Sequence, residues 1–333
     1  MSMREDFIQI KPIQEKLIKH TLGIKGMVVS VYSNKASIIE SLLSNIMITS
    51  YSLSTDRKED YSIVAIYDEK IMPKGLNDNT GFIPKQNEIY TPGVENHYYM
   101  SSDTVVTVLY YPAPSVLINS GIHHSVISGT VSALIYHSKM ILKQIITKIY
   151  YSQGYYPLHA SCICKDDKAY LFIGKTHSGK TTIMLNMAAS GYTPMNDDIV
   201  FLLWDNDEIW VESMPTVPQI RQDSLEFLTP KTYDDADIGD IDIYGSFGFC
   251  KKAKVKAIML SHTGFSETTV LPVDPQNCKT DLLKAFMAHL KIPVDANFAR
   301  VFYSLLEHQF YDLQLGPDMM ELKRWLDRES MLN

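Results

Sequence analysis

The chain has 333 residues, of which 45% are hydrophobic and 21% charged, and its formal net charge at pH 7 is −7. This composition is typical of a globular protein large enough for two domains or one large one, and nothing in it requires a disordered chain. The acidic balance argues against a protein that wraps the backbone of a nucleic acid, because such proteins need a basic face.

The sequence also lacks the features of secreted and membrane proteins. Its first residues have no apolar signal core behind a basic start, and no apolar run approaches the roughly eighteen residues that cross a bilayer. The four cysteines have the spacing of neither a disulfide framework nor a zinc site. We therefore expect a cytoplasmic protein with free thiols and no membrane or nucleic-acid partner. A homo-oligomer is compatible with this composition.

The first part of the chain has the pattern of a small α/β domain. Strands are predicted at residues 26–34, 61–67 and 105–111, and helices at residues 35–47 and 130–152. Gly154 occupies the position of a glycine C-cap after the long helix. Because residues 1–125 contain no catalytic motif, we interpret them as an N-terminal domain with a role in substrate recognition. Residues 126–333 are then the catalytic domain.

The second part of the chain is richer in short strands. They are predicted at residues 158–164, 169–173, 199–204, 208–211, 255–260, 268–273 and 309–315, with helices at residues 181–190 and 318–327. Strands and helices mixed in this way indicate an α/β (α+β) fold. The strand at 169–173 runs directly into a glycine-containing loop, and the helix at 181–190 follows that loop.

This loop carries a phosphate-binding motif. The pattern G-x-x-x-x-G-K-[ST] is matched by Gly174, Lys175, Thr176, His177, Ser178, Gly179, Lys180 and Thr181. The glycines let backbone N–H groups curl around phosphate oxygens, and the following helix directs its positive end at the same anion. Lys180 would bind the β- and γ-phosphates, the Thr181 hydroxyl would bind magnesium, and Thr182 completes the nucleotide-binding set. The alternative, a glycine turn with an accidental lysine, is disfavoured by the strand before the loop and the helix after it.

Two further groups narrow the choice among nucleotide-binding proteins. Asp197 and Asp198 lie just before a predicted strand, where one carboxylate can hold magnesium while the other takes the proton of an attacking hydroxyl. The alternative interpretation is a plain Asn/Asp turn. His159 begins the strand that precedes the loop hairpin, and a histidine taken alone is more often structural than catalytic.

Together these residues resemble the catalytic domain of HPr kinase/phosphorylase. The resemblance is carried by Leu158-His-Ala-Ser, by the phosphate-binding motif, and by Gly191-Tyr-x-x-Met-Asn-Asp197-Asp198. His159 precedes Lys180 by 21 residues and Asp197 follows it by 17, which agrees with that family's spacing. The same residues also resemble the wider group of HPr-kinase-related proteins, some of which are encoded beside peptide-modifying genes.

The resemblance implies both a fold and a set of roles. The fold is that of phosphoenolpyruvate carboxykinase, with a mixed β core, the phosphate-binding loop at one end and flanking helices. The implied cofactors are ATP and Mg²⁺. Asp197 would be the general base, and Thr181 and Asp198 would serve magnesium. His159 would contact the carboxylate pair or the transferring phosphate, and Lys180 the β- and γ-phosphates.

One departure bears on the phosphate acceptor. Where HPr kinases carry Leu-Glu-Ile-Arg-Gly, this chain has residues 215–224, which favours a different acceptor, such as a serine of a small peptide or protein, including the precursor of a peptide natural product. Arg221 in this segment is a candidate ligand for the nucleotide phosphate or the acceptor; the alternative is a surface arginine.

Three hypotheses for the function stay open at this point. The first is an ATP-dependent serine kinase, and the second is a kinase for a small-molecule hydroxyl that uses the same site. The third is a nucleotide-binding regulatory module without activity. The presence of Lys180, Thr181, Asp197 and Asp198 together speaks against the third, because a degenerate site has no need of all four.

Overall fold

A computed structural model describes residues 17–44, 60–66, 96–101, 104–110, 123–128, 131–213, 247–287 and 294–331. The chain divides into two compact units, Met1–Gln153 and Gly154–Asn333. Among the described residues, no helix combines the length and the apolar character needed to cross a membrane.

The first unit contains a mixed sheet and two helices in its described part. The strands are β1 (Ile18–Ile24), β2 (Met27–Ser33), β3 (Tyr61–Ile66), β4 (Asn96–Ser101), β5 (Thr104–Tyr110) and β6 (His123–Ser128), and the helices are α1 (Ala36–Ser44) and α2 (Val131–Ser152). The strand order is β1-β2-β3-β6-β5-β4. The three central strands, β2, β3 and β6, are parallel, and the outer pairings are antiparallel.

Helix α2 determines where the first unit ends. It packs against α1 and against strands β3, β5 and β6 of the first sheet, and its apolar residues Leu142, Ile145 and Ile149 are buried. Their spacing of three and four residues gives the helix one apolar face. The observed division at 153/154 therefore differs from the predicted boundary at 125/126, because this helix is part of the first unit's core. The recognition role of the N-terminal part stays a prediction.

The second unit is built on one large sheet. Its strands are β7 (Tyr156–His159), β8 (Ser161–Lys165), β9 (Lys168–Ile173), β10 (Thr193–Asn196), β11 (Ile199–Asp205), β12 (Glu208–Ser213), β13 (Lys252–Thr263), β14 (Thr269–Val273) and β15 (Gln309–Leu315). The helices are α3 (Lys180–Ala189), α4 (Lys279–Met287), α5 (Ala296–Leu305) and α6 (Met320–Met331). The order β10-β8-β9-β13-β12-β11-β7 forms the main path, and β15 joins β13 to β14. The mixed α/β fold class predicted from the sequence is confirmed.

Three parallel strands form the part of this sheet that positions the phosphate-binding loop. Strand β13 pairs in parallel with β9 along one side and with β15 along the other. Their carboxyl ends, at Ile173, Thr263 and Leu315, therefore meet at one edge of the sheet. Parallel strands commonly place ligand-binding loops at this edge.

Helices α3 and α6 share a hydrophobic core with these strands. Buried members include Tyr170, Phe172, Met184, Met259, Leu313, Leu322 and Trp325. The ring of Tyr311 meets the ring of Trp325 edge to face, with centroids 4.5 Å apart. This packing fixes the start of α3 relative to the ends of the central strands.

Candidate functional site

The first position of the phosphate-binding loop requires glycine because neighbouring atoms leave no room for a Cβ atom. Gly174 directly follows β9, and a Cβ atom added to it would lie 2.5 Å from Ser178 Oγ and 2.7 Å from the carbonyl oxygen of Ser261. Real Cβ atoms essentially never come within 3.0 Å of other heavy atoms. The loop can therefore fold back over the end of β13 only with glycine at this position.

The last glycine is required for two reasons. Gly179 has φ of 84°, in the left-handed region, and an added Cβ would lie 2.8 Å from Leu315 Cδ1. His177 also has a positive φ, 69°, which costs energy for a non-glycine residue. The strand ends hold this conformation, since Thr263 Oγ1 donates a hydrogen bond of 3.2 Å to the carbonyl oxygen of His177.

Lys180 begins helix α3, and its side chain reaches back to the loop. Its Nζ donates to the carbonyl oxygens of Gly174, at 2.9 Å, and Lys175, at 3.0 Å. The residue is buried, and this desolvation lowers the pKa of its ammonium group, while the charges of Asp198 and Asp197 act to raise it. The lysine therefore lies within the field of both carboxylates while its head group faces the inside of the loop.

Helix α3 presents its amino end to the same space. Gly179 is the N-cap and makes no side-chain capping bond, and the first turn contains no acidic residue. The first N–H groups of a helix have no intrahelical partner and attract anions. Thr181 and Thr182 lie in this first turn, and Thr182 is buried. The helix start is anchored from below by Ser161, whose hydroxyl donates to the carbonyl oxygen of Lys180 at 3.0 Å.

The two aspartates are held in place by the side chain before them. Asn196 Oδ1 accepts the backbone N–H of Asp197 at 2.7 Å and that of Asp198 at 3.1 Å. Asn196 is only 2% exposed, and the pairing of β10 with β8 is irregular beside it. The segment is thus an Asx turn, as the plain-turn interpretation had it, and the same turn also brings both carboxylates into the field of Lys180.

His159 meets the second aspartate. Its Nδ1 lies 3.0 Å from the carbonyl oxygen of Asp198 and 3.4 Å from the carboxylate Oδ1 of the same residue. Both oxygens accept hydrogen bonds, so Nδ1 carries a proton in this arrangement. The contact follows from the sheet, because His159 pairs with Ile199 between β7 and β11 and the N–H of Ala160 also donates to the Asp198 carbonyl.

The structure therefore brings most of the predicted site residues to one edge of the second unit. The residues predicted to bind phosphate are those of the loop, Lys180 and the first turn of α3. The residues predicted for acid–base chemistry are the two aspartates and His159. Lys175, Thr176 and His177 are exposed. Arg221 lies outside the described residues, and the roles assigned to all of these side chains stay predictions.

A magnesium ion fits this set of donors only together with a nucleotide. In the described parts of the chain, no cluster of three or more His, Cys, Asp or Glu residues could hold a metal ion alone. Magnesium retains several waters and is commonly bound through one or two carboxylates plus substrate phosphates. The Thr181 hydroxyl and the Asp198 carboxylate are the donors that this chain would add.

Sequence reasoning missed the serine pair beneath the loop. Ser178 Oγ and Ser261 Oγ lie 2.9 Å apart, and Ser261 Oγ also donates to the carbonyl oxygen of Ile173 at 3.1 Å. All of these groups are buried. Ser261 is 83 residues away from Ser178 in the chain. A small polar residue near the end of an apolar strand is the one signal that the sequence offered.

Comparisons with known proteins found no match in sequence. No family model matches the chain, and no curated protein matches it in sequence. Among solved structures, the Hpr(Ser) kinase/phosphatase from Coxiella burnetii is similar over 53% of this chain and 99% of that chain, with 16% sequence identity and a TM-score of 0.28. Similarity at this level carries no conclusion about fold or function, so the kinase hypothesis rests on the site itself.

Proposed function

We propose that this chain is an ATP-dependent kinase that transfers the γ-phosphate to a hydroxyl group, with a serine of a small peptide or protein as the acceptor. The observation that carries the proposal is the placement of Lys180. Its ammonium group is held by two carbonyls of the phosphate-binding loop and also interacts with Asp197 and Asp198. A cation between an anion cradle and two acids is the arrangement that phosphoryl transfer needs.

The loop supplies binding and positioning of the nucleotide. The loop backbone packs closely against the strand ends at Gly174 and Gly179, which limits how far its N–H groups reorganise when phosphates arrive. When phosphate enters, Lys180 exchanges its two carbonyl acceptors for phosphate oxygens. Preorganised donors of this kind account for much of the catalysis in phosphoryl transfer.

Asp197 is the proposed general base. The acceptor hydroxyl gives its proton to a carboxylate oxygen of Asp197 while the hydroxyl oxygen forms a bond to the γ-phosphorus. The bond between the γ-phosphorus and the bridging β–γ oxygen breaks at the same time, which releases ADP. Magnesium, when bound, neutralises charge on the β- and γ-phosphates. Asp198 is kept apart from the base role by its contact with His159. Because neighbouring carboxylates titrate together, the two roles are separable only by substitution.

The proposed serine acceptor rests on the motif resemblance and on the departure at residues 215–224. A small-molecule hydroxyl would use the same chemistry, and the two acceptor classes are separated by assay. The protein is incubated with γ-labelled ATP and either a pool of serine-containing peptides or a pool of hydroxyl metabolites. Label in the peptide pool supports the proposal, and label confined to metabolites overturns the acceptor class.

The reaction itself is tested with a matched pair of variants. Lys180→Ala removes the proposed phosphate ligand, and Lys284→Ala removes an exposed lysine on α4 whose side chain is 67% exposed. We expect the first variant to lose transfer and to bind ATP weakly, and the second to behave as wild type. Equal transfer by both variants would show that the lysine of the motif has no part in the reaction.

A further inference from the structure

A short loop beside the phosphate-binding loop carries an exposed aromatic ring. Residues 264–268 follow β13 at the sheet edge where the phosphate-binding loop follows β9. Phe265 in this short loop is 41% exposed. Single exposed apolar residues are normal on protein surfaces, so the ring becomes informative only through what holds it and what it borders.

The backbone of this short loop is fixed against the end of β15. The N–H of Phe265 donates to the carbonyl oxygen of Leu315 at 3.3 Å, and the N–H of Gly316 donates to Thr268 Oγ1 at 3.0 Å. A Cβ atom added to Gly316 would lie within 2.8 Å of the Glu267 backbone. The chain on both sides of the ring is therefore held in place, although the ring itself is not buried.

The same residues that hold this short loop also touch the phosphate-binding loop. Thr263 donates to the carbonyl of His177. Thr263 Cγ2 and Leu315 Cδ1 would lie 3.2 Å and 2.8 Å from a Cβ placed on Gly179. Phe265 thus follows Thr263, which contacts the phosphate-binding loop, by two residues. Its N–H donates to the carbonyl oxygen of Leu315, whose side chain also borders that loop.

We propose that Phe265 is a stacking platform for the base of the nucleotide whose phosphates bind at residues 174–181. This inference rests on the proposed function. The loop backbone and Lys180 recognise only phosphates, so the base needs a separate contact. An exposed aromatic face supplies one by stacking, and stacking tolerates different bases because every base has a π face. The platform therefore accepts adenine and guanine nucleotides alike.

The test compares nucleotides with a ligand that has phosphates and no base. Affinities of magnesium ATP, magnesium GTP and magnesium tripolyphosphate are measured by titration calorimetry on the full chain. For Phe265→Ala we expect at least about a fivefold loss for both nucleotides, the low end of base–aromatic stacking, and an unchanged affinity for tripolyphosphate. Phe265→Trp retains a stacking face and should bind nucleotides as wild type does.

The controls separate this inference from the proposed function. Tyr303→Ala removes another aromatic ring, 60% exposed on α5, and should change none of the three affinities. Lys180→Ala should weaken nucleotides and tripolyphosphate together. If Phe265→Ala binds ATP as wild type does, or loses ATP and tripolyphosphate equally, the platform is refuted while the phosphate site stands. If Lys180→Ala binds all three ligands normally, the proposed function itself fails.

Discussion

His159 Nδ1 lies 3.0 Å from the backbone carbonyl of Asp198 and 3.4 Å from the carboxylate of the same residue. One ring nitrogen thus fixes both the main chain and the side chain of the second aspartate. The contact crosses from β7 to the start of β11, so the sheet pairing sets it rather than a flexible loop. We therefore predict that His159 is a positioning residue that acts through Asp198.

This relationship predicts how substitutions at His159 behave. His159→Ala should lower kcat by about five- to tenfold, the scale of one lost hydrogen bond, with little effect on the affinity for ATP. His159→Asn places an amide N–H near the position of Nδ1 and should recover most of the loss. Steady-state kinetics of both variants provide the measurement. Identical kcat values for wild type and His159→Ala would return the histidine to a purely structural role.

Asp197 should be the residue whose loss slows the chemical step most. Asp197→Asn keeps the shape of the side chain but removes the proton acceptor, so turnover should fall by at least about a hundredfold while ATP affinity stays nearly intact. The matched control is Asp207→Asn, in the tight turn between β11 and β12, where the backbone φ of 62° is one that asparagine tolerates. Normal turnover by Asp197→Asn would show that the base is elsewhere.

The close approach at Gly174 predicts a loss of both binding and stability. Gly174→Ala forces Ser178 and the Ser261 backbone apart, and overpacking of this kind costs about 1–3 kcal/mol in the free energy of unfolding. Nucleotide affinity should fall with it, because the cradle changes shape. Gly154→Ala provides the contrast, since Gly154, unlike Gly174, has a positive φ of 82°, and nothing lies within 4 Å of the added Cβ. Thermal unfolding and ATP titration of both variants distinguish packing from backbone strain.

The lowered pKa of Lys180 predicts that nucleotide binding depends on pH. Burial lowers the pKa of its ammonium group below the ordinary 10.5, and only the protonated form attracts phosphates. Affinity for ATP should therefore be retained at neutral pH and decline on the alkaline side earlier than for an exposed lysine. Asp197 and Asp198 act to raise this pKa, so the Asp197→Asn/Asp198→Asn double variant should shift the decline to lower pH.

The control for this pH profile is Lys180→Arg. A guanidinium stays charged throughout the range, so whatever affinity this variant has should not decline as pH rises from 7 to 10.5. ATP affinity measured at several pH values for the three proteins provides the data. A profile for wild type that matches the arginine variant would mean that Lys180 remains charged or does not contact the nucleotide.

The parts of this site that were predictable from sequence are the local ones. The strand, loop and helix around Gly174 and Lys180 follow from contiguous residues, because an apolar strand, the spaced glycines of the motif and the lysine after them leave a short-range signal. The mixed α/β class follows from the same patterns. Strands β1, β4, β6 and β10 were not predicted, since short strands gain their stability from pairing with distant segments.

The contacts between distant segments were not predictable. Nothing in the sequence indicates that Ser261 lies under Ser178, or that Asn196 binds the amides of both aspartates. Helix α2 shows the same limit, because its apolar face predicts a helix but does not say which sheet covers it. Its packing on the first sheet placed the division after Gln153.

The long strand β13 has a consequence for any attempt to isolate the nucleotide site. Its carboxyl end supplies Ser261 and Thr263, which brace a motif that ended eighty residues earlier, and β15 adds Leu315. A fragment that ends before β13 would keep every residue of the phosphate-binding motif and lose the residues that pack against it. The motif can be recognised from its own residues, but its folded shape also depends on two strands that come later in the chain, β13 and β15.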